Sequence, residues 1–360
     1  MRWIPERGNH VDTTNLLEVS NLSVDFETDQ GLVHAVRDVS FSLKPGEILG
    51  IVGESGSGKS VSMYAIMGLL AANGRISGGK ITFDGDDISR GAFPSEKAYL
   101  HHMNHIRGNK MAMVFQDPMT FLNPLQTIER QIMEPLLNHT SMTRAQAHER
   151  VLELMVQVGI PSPEKRIHQY PHQFSGGMRQ RIIIAIALAN NPKLLIADEP
   201  TTALDVTIQA QILELIRDLT RKSGTSTIMI THDLGVVACL CDRILIMYGG
   251  KIMEAGTDRE IFYSPNHPYT RGLLSCINNP EAEEKDLVPI PGSPPDLLKP
   301  PMGCPFVDRC EQAMKICKVR MPDITHLSDT HSSSCWCNEV LRRQAVAQTA
   351  AEKNREGGRA

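Results

Sequence analysis

The residues best suited to chemistry in this 360-residue sequence form a glycine-rich stretch at positions 53–60. Glycines recur there, so a tightly turning backbone can point successive N–H groups at phosphate oxygens, and the helix that follows would add its positive N-terminal end. Lys59 is placed to reach the β- and γ-phosphates of a nucleotide, and Ser60 to hold Mg²⁺. The pattern predicts a P-loop formed by Gly53, Glu54, Ser55, Gly56, Ser57, Gly58, Lys59 and Ser60.

Three later stretches carry polar groups in positions that suit the same chemistry. Ser175 and the two glycines after it precede a helix-forming run, so their N–H groups would attract an anion for the same dipole reason as the P-loop. Asp198 and Glu199 follow the apolar run at 194–197, and His232 follows the next one. The carboxylates are therefore expected at the carboxyl edge of a sheet, where parallel sheets place their chemistry.

Each of these signals has an ordinary structural explanation when it stands alone. A glycine-rich turn can match a P-loop by accident, an Asp-Glu pair at a strand end is commonly a solvated edge, and a Thr-His-Asp triplet is commonly a helix cap. Their ordered occurrence together with the P-loop in one chain favours a shared nucleotide site over these separate explanations.

The elements that must position these residues alternate along the chain. Residues 16–26 and 36–43 alternate apolar and polar side chains, which is typical of half-buried strands and predicts an antiparallel flank. From residue 47 onward, buried strands alternate with helices, including a helix at 144–158 that is bounded by prolines. This alternation predicts an α/β fold whose sheet is mainly parallel.

Composition limits the possible classes of protein. The hydrophobic fraction of 41% is enough for proper cores, and the net charge of −4 with a pI near 6.4 gives no overall basic field for nucleic acid. The longest apolar run, at 182–189, is far shorter than the roughly 18 residues that cross a bilayer. The N-terminus has no apolar signal core, so we expect the protein in a reducing cytosol.

The order of the motifs resembles that of the ATPase subunits of ABC transporters, and the resemblance covers about residues 16–265. It implies a RecA-like P-loop α/β core with an antiparallel β subdomain and a helical subdomain at about 117–190. Many relatives carry other residues at the positions of Phe174 and Met178, and this difference narrows the part of the family that the chain resembles. The motifs that carry the resemblance are the P-loop, Gln116, the Ser175-Gly176-Gly177 signature, Asp198-Glu199 and His232.

Two further stretches, at 115–124 and 264–270, are similar to the peptide/nickel (Opp/Dpp) importer branch, and the chain resembles the D-type ATPase subunit there. Relatives in that branch import dipeptides, oligopeptides, glutathione or nickel, using an extracytoplasmic solute-binding protein, two transmembrane permeases and usually two different ATPases. The resemblance therefore implies a peripheral ATP-hydrolysing subunit at the cytoplasmic face of the bacterial inner membrane. An F-type ATPase would be its heterodimer partner, and no nucleic acid partner is expected.

The resemblance assigns roles within the nucleotide site. Ser60 and Asp198 would orient Mg²⁺ directly or through water, and Gln116 would contact the Mg²⁺ and the water. Glu199 would polarise the attacking water as general base, and His232 would hold Glu199 and the water in a reactive geometry. ATP and Mg²⁺ are the ligands that follow from these roles.

The resemblance also implies that a complete site needs a second chain. Ser175, Gly176 and Gly177 would reach the γ-phosphate bound by the opposite subunit, and Asp205 would lie at the dimer seam and couple the two sites. ATP would then join the two protomers. Phe26 is the candidate for stacking on adenine, although a polar insert separates it from the following strand.

A small C-terminal cysteine-rich module is predicted at 304–345, after a proline-rich linker at 279–303. In the cytosol such a cluster is more often metal-binding than disulfide-linked, and its wide spacing suits an iron–sulfur cluster at least as well as zinc. The resemblance to the C-terminal motif of peptide importers implies a [4Fe–4S] cluster, with zinc and unligated thiols as alternatives. Cys337 is left without a role. The predicted ligands are Cys304, Cys310, Cys317 and Cys335.

The remaining domain predictions are a flexible N-terminus at 1–15, a nucleotide-binding domain at 16–278 and a disordered tail at 346–360. The rival function is a soluble ABC ATPase that acts on ribosomes or DNA. Such translation factors usually carry two ATPase cassettes, and repair proteins a long coiled coil, whereas this sequence has one P-loop and neither addition. A metal-sensing or redox-regulatory protein that has kept the ATPase fold is the third hypothesis.

Overall fold

Two β-sheets organise the part of the chain that this computed structural model describes, which comprises residues 15–115, 121–201, 204–276 and 290–338. The strands are β1 (Leu17–Thr28), β2 (Gly31–Leu43), β3 (Ile48–Val52), β4 (Gly74–Phe83), β5 (Asp86–Asp87), β6 (Met111–Val114), β7 (Leu194–Asp198), β8 (Ser226–Thr231), β9 (Arg243–Tyr248), β10 (Lys251–Thr257), β11 (Thr325–His326) and β12 (Ser332–Ser333). The helices are α1 (Lys59–Met67), α2 (Glu96–Ile106), α3 (Ile128–His139), α4 (Arg144–Gln157), α5 (Pro163–Arg166), α6 (Gly176–Leu188), α7 (Val206–Ser223), α8 (Leu234–Leu240), α9 (Asp258–Tyr263), α10 (Pro268–Ser275) and α11 (Lys315–Val319).

The larger sheet has the order β11-β12-β10-β9-β3-β8-β7-β6, and its five strands from β9 to β6 are parallel. Every residue of β3, β7 and β8 is buried, which explains why these strands appear as short, nearly continuous apolar runs in the sequence. The smaller sheet has the order β2-β1-β4-β5 and is antiparallel. The prediction of a mainly parallel α/β core with an antiparallel flank is confirmed.

A layer of helices, α3 to α6, covers the β6 side of the larger sheet. Their apolar faces join one buried cluster with the sheet, to which Ile132 of α3, Val151 of α4 and Ile184 of α6 all contribute. Thr143 begins α4 with a capping box, since its hydroxyl accepts from the Gln146 backbone N–H while the Gln146 side chain accepts from the Thr143 N–H. This layer lies in the region predicted as a helical subdomain.

The C-terminal segment, residues 290–338, packs directly on this core. Its strand β12 pairs antiparallel with β10, and β11 pairs with β12, so the segment lengthens the larger sheet. Cys304 and Phe306 belong to the main apolar cluster, and Pro301 accepts a hydrogen bond from the Arg37 guanidinium of β2 at 2.8 Å. The predicted linker and cysteine-rich module are therefore in contact with both sheets, and their boundaries stay a prediction.

Several predicted features lie outside the described residues: Gln116, residues 1–14 of the N-terminal segment, residues 279–289 of the linker and the tail beyond 338. Within the described ranges, no helix combines the length and the apolar character that a membrane span requires.

Buried and half-buried carboxylates join the C-terminal segment to the core. Glu254 of β10 has a fully buried side chain, and its carboxylate contacts Nε2 of the buried His331 at 2.7 Å. Glu260 of α9 accepts hydrogen bonds from the hydroxyls of Ser328 and Thr330 and from the backbone N–H of Thr257. Burial alone would raise the pKa of Glu260, but these hydrogen bonds lower it to about 2.

Replacing Glu260 should therefore make the attachment of this segment weaker and less sensitive to acid. Since the pKa falls from 4.5 to about 2 on folding, the stabilisation is fully present above about pH 4.5 and is lost as the pH falls toward 2. We expect Glu260→Gln to lower the free energy of unfolding by about 1–2 kcal/mol at pH 7 and by less at pH 3. Urea unfolding followed by the fluorescence of the buried Trp336 measures this.

The exposed Glu214, paired with Arg217 on its own helix, offers the matched control, and Glu214→Gln should change the free energy of unfolding by less than about 0.5 kcal/mol at either pH. An equal loss for Glu260→Gln at pH 7 and pH 3 would contradict the assignment.

Candidate functional site

The predicted site residues come together because three neighbouring strands end at one edge of the larger sheet. Strand β8 lies between β3 and β7 and is parallel to both, with Val52 level with Thr231 and Asp198 level with Ile230. The P-loop leaves the end of β3, the Asp-Glu pair ends β7, and His232 follows β8. Residues far apart in the sequence are thus brought within hydrogen-bonding distance.

The P-loop conformation depends on glycines at two close approaches. Gly58 has a left-handed backbone, with φ of 97°, and a Cβ there would lie 2.6 Å from the Ala35 carbonyl oxygen. A Cβ at Gly53 would collide with the Met247 carbonyl of β9. The loop therefore lies tightly between β2 and β9, while Ser55 at its crest is exposed.

Lys59 begins α1 and is almost fully buried within the loop. Its ammonium donates to the carbonyl oxygens of Gly53 at 2.7 Å and Glu54 at 2.9 Å. Burial lowers the pKa of Lys59, although the carboxylates of Glu199, Asp198 and Glu54 favour the charged form. The arrangement places a cation directly behind the backbone N–H groups that a phosphate would contact.

The next residue on α1 connects the P-loop to β7. The Ser60 hydroxyl donates to a carboxylate oxygen of Asp198 at 2.8 Å. Burial raises the pKa of Asp198, while hydrogen bonds from Ser60 and Tyr64 act in the opposite direction. A hydroxyl and a carboxylate oxygen side by side are ligands that suit Mg²⁺.

Tyr64 is a site residue that the sequence reasoning missed. Burial and the Asp198 carboxylate raise the pKa of Tyr64 to about 12, so the phenol remains a hydrogen-bond donor to Asp198. Tyr64 lies four residues after Ser60 on α1, so both side chains occupy the same face of that helix. The four-residue spacing between Ser60 and Tyr64 is the sequence feature that could have identified Tyr64.

Glu199 has an unusual backbone conformation at the end of β7. Its φ of 44° is left-handed, which non-glycine residues adopt at a cost and which is frequent at functional sites. Its backbone N–H donates to the Ile230 carbonyl at 2.9 Å, and its carboxylate lies 3.2 Å from Nδ1 of His232. The His232 side chain is 66% exposed, so this pair faces the solvent side of the site.

Gly177 of the signature and Asp205 both contact Ile208 of α7. Ser175 caps α6 by accepting from the Met178 N–H at 3.4 Å, and a Cβ at Gly177 would lie 2.8 Å from the Ile208 side chain. Asp205 caps α7 by accepting from the Ile208 N–H at 3.0 Å. The capping role of Asp205 is local and was not predicted.

Phe26 is half-buried and lies on the antiparallel sheet. It is opposite Gly74 of β4, and a Cβ at Gly74 would lie 2.6 Å from the Phe26 ring. The glycine therefore makes room for the ring. The stacking of Phe26 on adenine stays a prediction.

The predicted cluster ligands surround one small cavity. The cavity has a volume of about 20 Å³ and is lined by Cys304, Cys310, Cys317, Cys335 and, in addition, Cys337. Burial raises the pKa of Cys304 and of Cys335 to about 12, so both are neutral thiols here. Five thiols are suitable donors for iron or zinc, but the described residues contain no group of three or more side chains arranged to hold a metal ion.

The P-loop also contacts two residues from the distal part of the chain that the sequence reasoning gave no role in the site. The backbone N–H of Glu54 donates to the Tyr269 hydroxyl at 3.0 Å, and the Glu54 carboxylate lies 2.7 Å from the Arg309 guanidinium. In the sequence, Tyr269 drew notice only as part of the stretch at 264–270 that resembles peptide importers.

Comparison with known proteins gives consistent matches over most of the chain. The family profile described as "ABC transporter" matches residues 36–202, and the profile described as "Oligopeptide/dipeptide transporter, C-terminal region" matches residues 253–317. The dipeptide transport ATP-binding protein DppD of Bacillus subtilis is 51% identical over 332 residues, which are 92% of this chain and 97% of that protein. The oligopeptide transport ATP-binding protein OppD of Escherichia coli is 53% identical over 307 residues, covering 85% of this chain and 89% of that protein.

Solved structures match the same core. A dimeric, post-hydrolysis structure of the ATP-binding cassette MJ0796 with ADP and Pi gives a TM-score of 0.59 at 28% identity, covering 68% of this chain and 99% of that chain. The cbiO1 subunit from Clostridium perfringens, part of the ABC transporter complex cbiONQ, gives a TM-score of 0.58 at 27% identity, covering 70% of this chain and 92% of that chain.

Proposed function

The chain belongs to the ATP-binding subunits of peptide-importing (Opp/Dpp) ABC transporters, of the D type, and on that premise we propose that it hydrolyses ATP to drive the import of dipeptides or oligopeptides. The observation that carries this proposal is the meeting of the P-loop, Asp198, Glu199 and His232 at adjacent strand ends. The rival function on ribosomes or DNA has no observation in its favour.

Nucleotide binding follows from the geometry of the P-loop. Its N–H groups and the Lys59 ammonium would balance the charge of the phosphates. Ser60 and Asp198 would hold Mg²⁺, which neutralises phosphate charge when it is bound. We assign Gln116 to the same region and Phe26 to the adenine on the family resemblance alone.

Hydrolysis would use the Glu199–His232 pair that follows β7 and β8. Glu199 would accept a proton from the attacking water, and the imidazole of His232, with its proton on Nδ1, would donate to the Glu199 carboxylate and fix its orientation. The left-handed backbone at Glu199 supports this assignment, since such backbone strain is frequent at functional sites, and the Glu199 carboxylate favours the charged form of Lys59 in the P-loop.

Glu199→Gln tests this role. We expect ATP hydrolysis to fall by about 100-fold or more with ATP affinity nearly unchanged, because a general base contributes to the chemical step and not to nucleotide binding. Phosphate release and peptide uptake are measured in vesicles that contain the chain with its partner subunits. Glu214→Gln is the control, and undiminished hydrolysis by Glu199→Gln would refute the assignment of the base.

The complete site is proposed to need a partner ATPase, an F-type subunit in a heterodimer. In that arrangement Ser175, Gly176 and Gly177 act on the nucleotide of the partner, and Asp205 lies at the seam. The related cassette MJ0796 is dimeric in its post-hydrolysis structure.

Lys59→Ala and Gly177→Asp should therefore impair different steps. Lys59→Ala removes the cation of this chain's own P-loop, so ATP binding by the isolated chain should fall at least tenfold. Gly177→Asp should leave that binding unchanged and reduce hydrolysis only in the assembled dimer. Gly91→Asp is the control, because Gly91 is exposed and a Cβ there would meet no described atom within 4 Å. Loss of binding by the isolated chain in Gly177→Asp would contradict a site shared between subunits.

The finer assignments concern the assembly and the domains. We propose that two permeases hold the chain at the cytoplasmic face of the inner membrane, and that a solute-binding protein delivers the peptide to them. Residues 16–278 would form the nucleotide-binding domain and residues 304–345 the cysteine-rich module.

We also propose that the cysteine-rich module holds a [4Fe–4S] cluster through Cys304, Cys310, Cys317 and Cys335. The convergence of these thiols on one cavity supports this, because a bound metal would deprotonate the thiols that ligate it. Cys337 lines the same cavity and is an additional candidate ligand.

Protein purified without oxygen should contain iron and inorganic sulfide and absorb visible light. Cys304→Ser and Cys310→Ser should each remove most of the iron, whereas Cys239→Ser, at an exposed cysteine outside the cavity, should not. Zinc in place of iron, or no metal in the wild type, would refute the cluster.

A further inference from the structure

One cation of the C-terminal segment reaches directly into the nucleotide site. Arg309 ends the short 3₁₀ turn Val307–Arg309 and immediately precedes Cys310. Its side chain is only 6% exposed, and Nη1 lies 2.7 Å from a carboxylate oxygen of Glu54 and 3.0 Å from the Tyr248 hydroxyl. The ion pair joins positions 255 residues apart.

Arg309 is held firmly from its own side. Nε donates to the Pro291 carbonyl at 2.9 Å and Nη2 to the Ile290 carbonyl at 3.0 Å. The guanidinium also lies 5.7 Å from the ring centre of Tyr248 and 5.9 Å from that of Phe306. Burial alone would lower the pKa of Arg309, but the hydrogen bonds to Glu54 and Tyr248 leave it raised, so the group is a fixed cation.

Glu54 is the residue through which this contact acts on the P-loop. Its carbonyl accepts from Lys59 at 2.9 Å, and its N–H donates to the Tyr269 hydroxyl. Its carboxylate is close enough to affect the charge of Lys59. Without Arg309, this carboxylate would be an unpaired negative charge beside the phosphates of a bound nucleotide, and it would repel them.

We propose that Arg309 is a positioning residue of the nucleotide site, which neutralises and orients Glu54 and so sets the P-loop for ATP from the C-terminal segment. The inference rests on the proposed function, since it concerns the binding of ATP by the same loop. Its chemistry differs from that of the catalytic residues, because Arg309 touches the loop and not the reacting atoms. ATP affinity should therefore depend on Arg309 only while Glu54 is charged.

A double-mutant cycle on the full chain tests this dependence, with Mg-ATP binding as the readout. Arg309→Gln should weaken ATP binding about fivefold or more, since it leaves a half-buried carboxylate unpaired. Glu54→Gln removes the carboxylate charge and is the reference for the double variant. The double variant should return to within about twofold of Glu54→Gln, because the repelling charge is gone.

A purely structural role predicts another result, namely an equal loss from Arg309→Gln whether or not Glu54 is charged, and that result would overturn the proposal. In the assembled transporter, the KM for ATP should rise in Arg309→Gln while kcat stays within about twofold. Arg320→Gln is the matched control, because Arg320 lies in the same segment over the Trp336 ring but is 64% exposed and pairs with Asp323 rather than with Glu54.

Folding is checked by Trp336 fluorescence. If Arg309→Gln does not fold, Arg309→Met, which keeps the packing of the side-chain stem but removes its charge, replaces it in the same cycle with Glu54→Gln. Failure of the wild type to bind Mg-ATP would refute the proposed function and this inference together. Binding by the wild type with equal binding by Arg309→Gln would refute the inference alone.

Discussion

The parallel pairing of β8 with β3 and β7 is the constraint on which the site depends. It places the end of β3, with its P-loop, two strands away from the end of β7, so that Ser60 and Asp198 meet although 138 residues separate them. A slip of one residue in β7 would turn Asp198 toward the opposite face of the sheet. The complete burial of these strands opposes such a slip, because it would draw a flanking polar residue such as Lys193 into the buried strand.

The P-loop itself is shaped by its surroundings as much as by its glycines. The Ala35 carbonyl of β2 and the Met247 carbonyl of β9 approach it so closely that Gly58 and Gly53 have no room for a side chain. The C-terminal region adds Tyr269 and Arg309 on Glu54. The loop thus touches both sheets and the C-terminal segment, and these contacts hold it around the buried Lys59.

The sequence was sufficient for those parts of the fold and site that have a local pattern. Apolar runs identified β3, β7 and β8, and the P-loop spacing identified the residues that turn around Lys59. Contacts between remote parts of the chain left no such pattern. Arg309 is one of several arginines in the cysteine-rich stretch, and its partner lies 255 residues earlier, so only the fold brings them together. Strands β11 and β12 have two residues each, too few for any periodicity to appear.

In the proline-rich stretch, the sequence predicted fewer contacts than the structure contains. Its composition predicted an extended linker, which needs few contacts, yet Pro301 accepts from Arg37 and the Ile290 and Pro291 carbonyls hold Arg309. Prolines lack N–H donors but keep their carbonyls, so such a segment can serve as a row of acceptors for arginines. The carbonyls of Ile290 and Pro291 bind Arg309 on one side, and Glu54 binds it on the other. Arg309 directly precedes Cys310. The cysteines that line the small cavity and the loop of the nucleotide site are therefore joined through the contacts of Arg309.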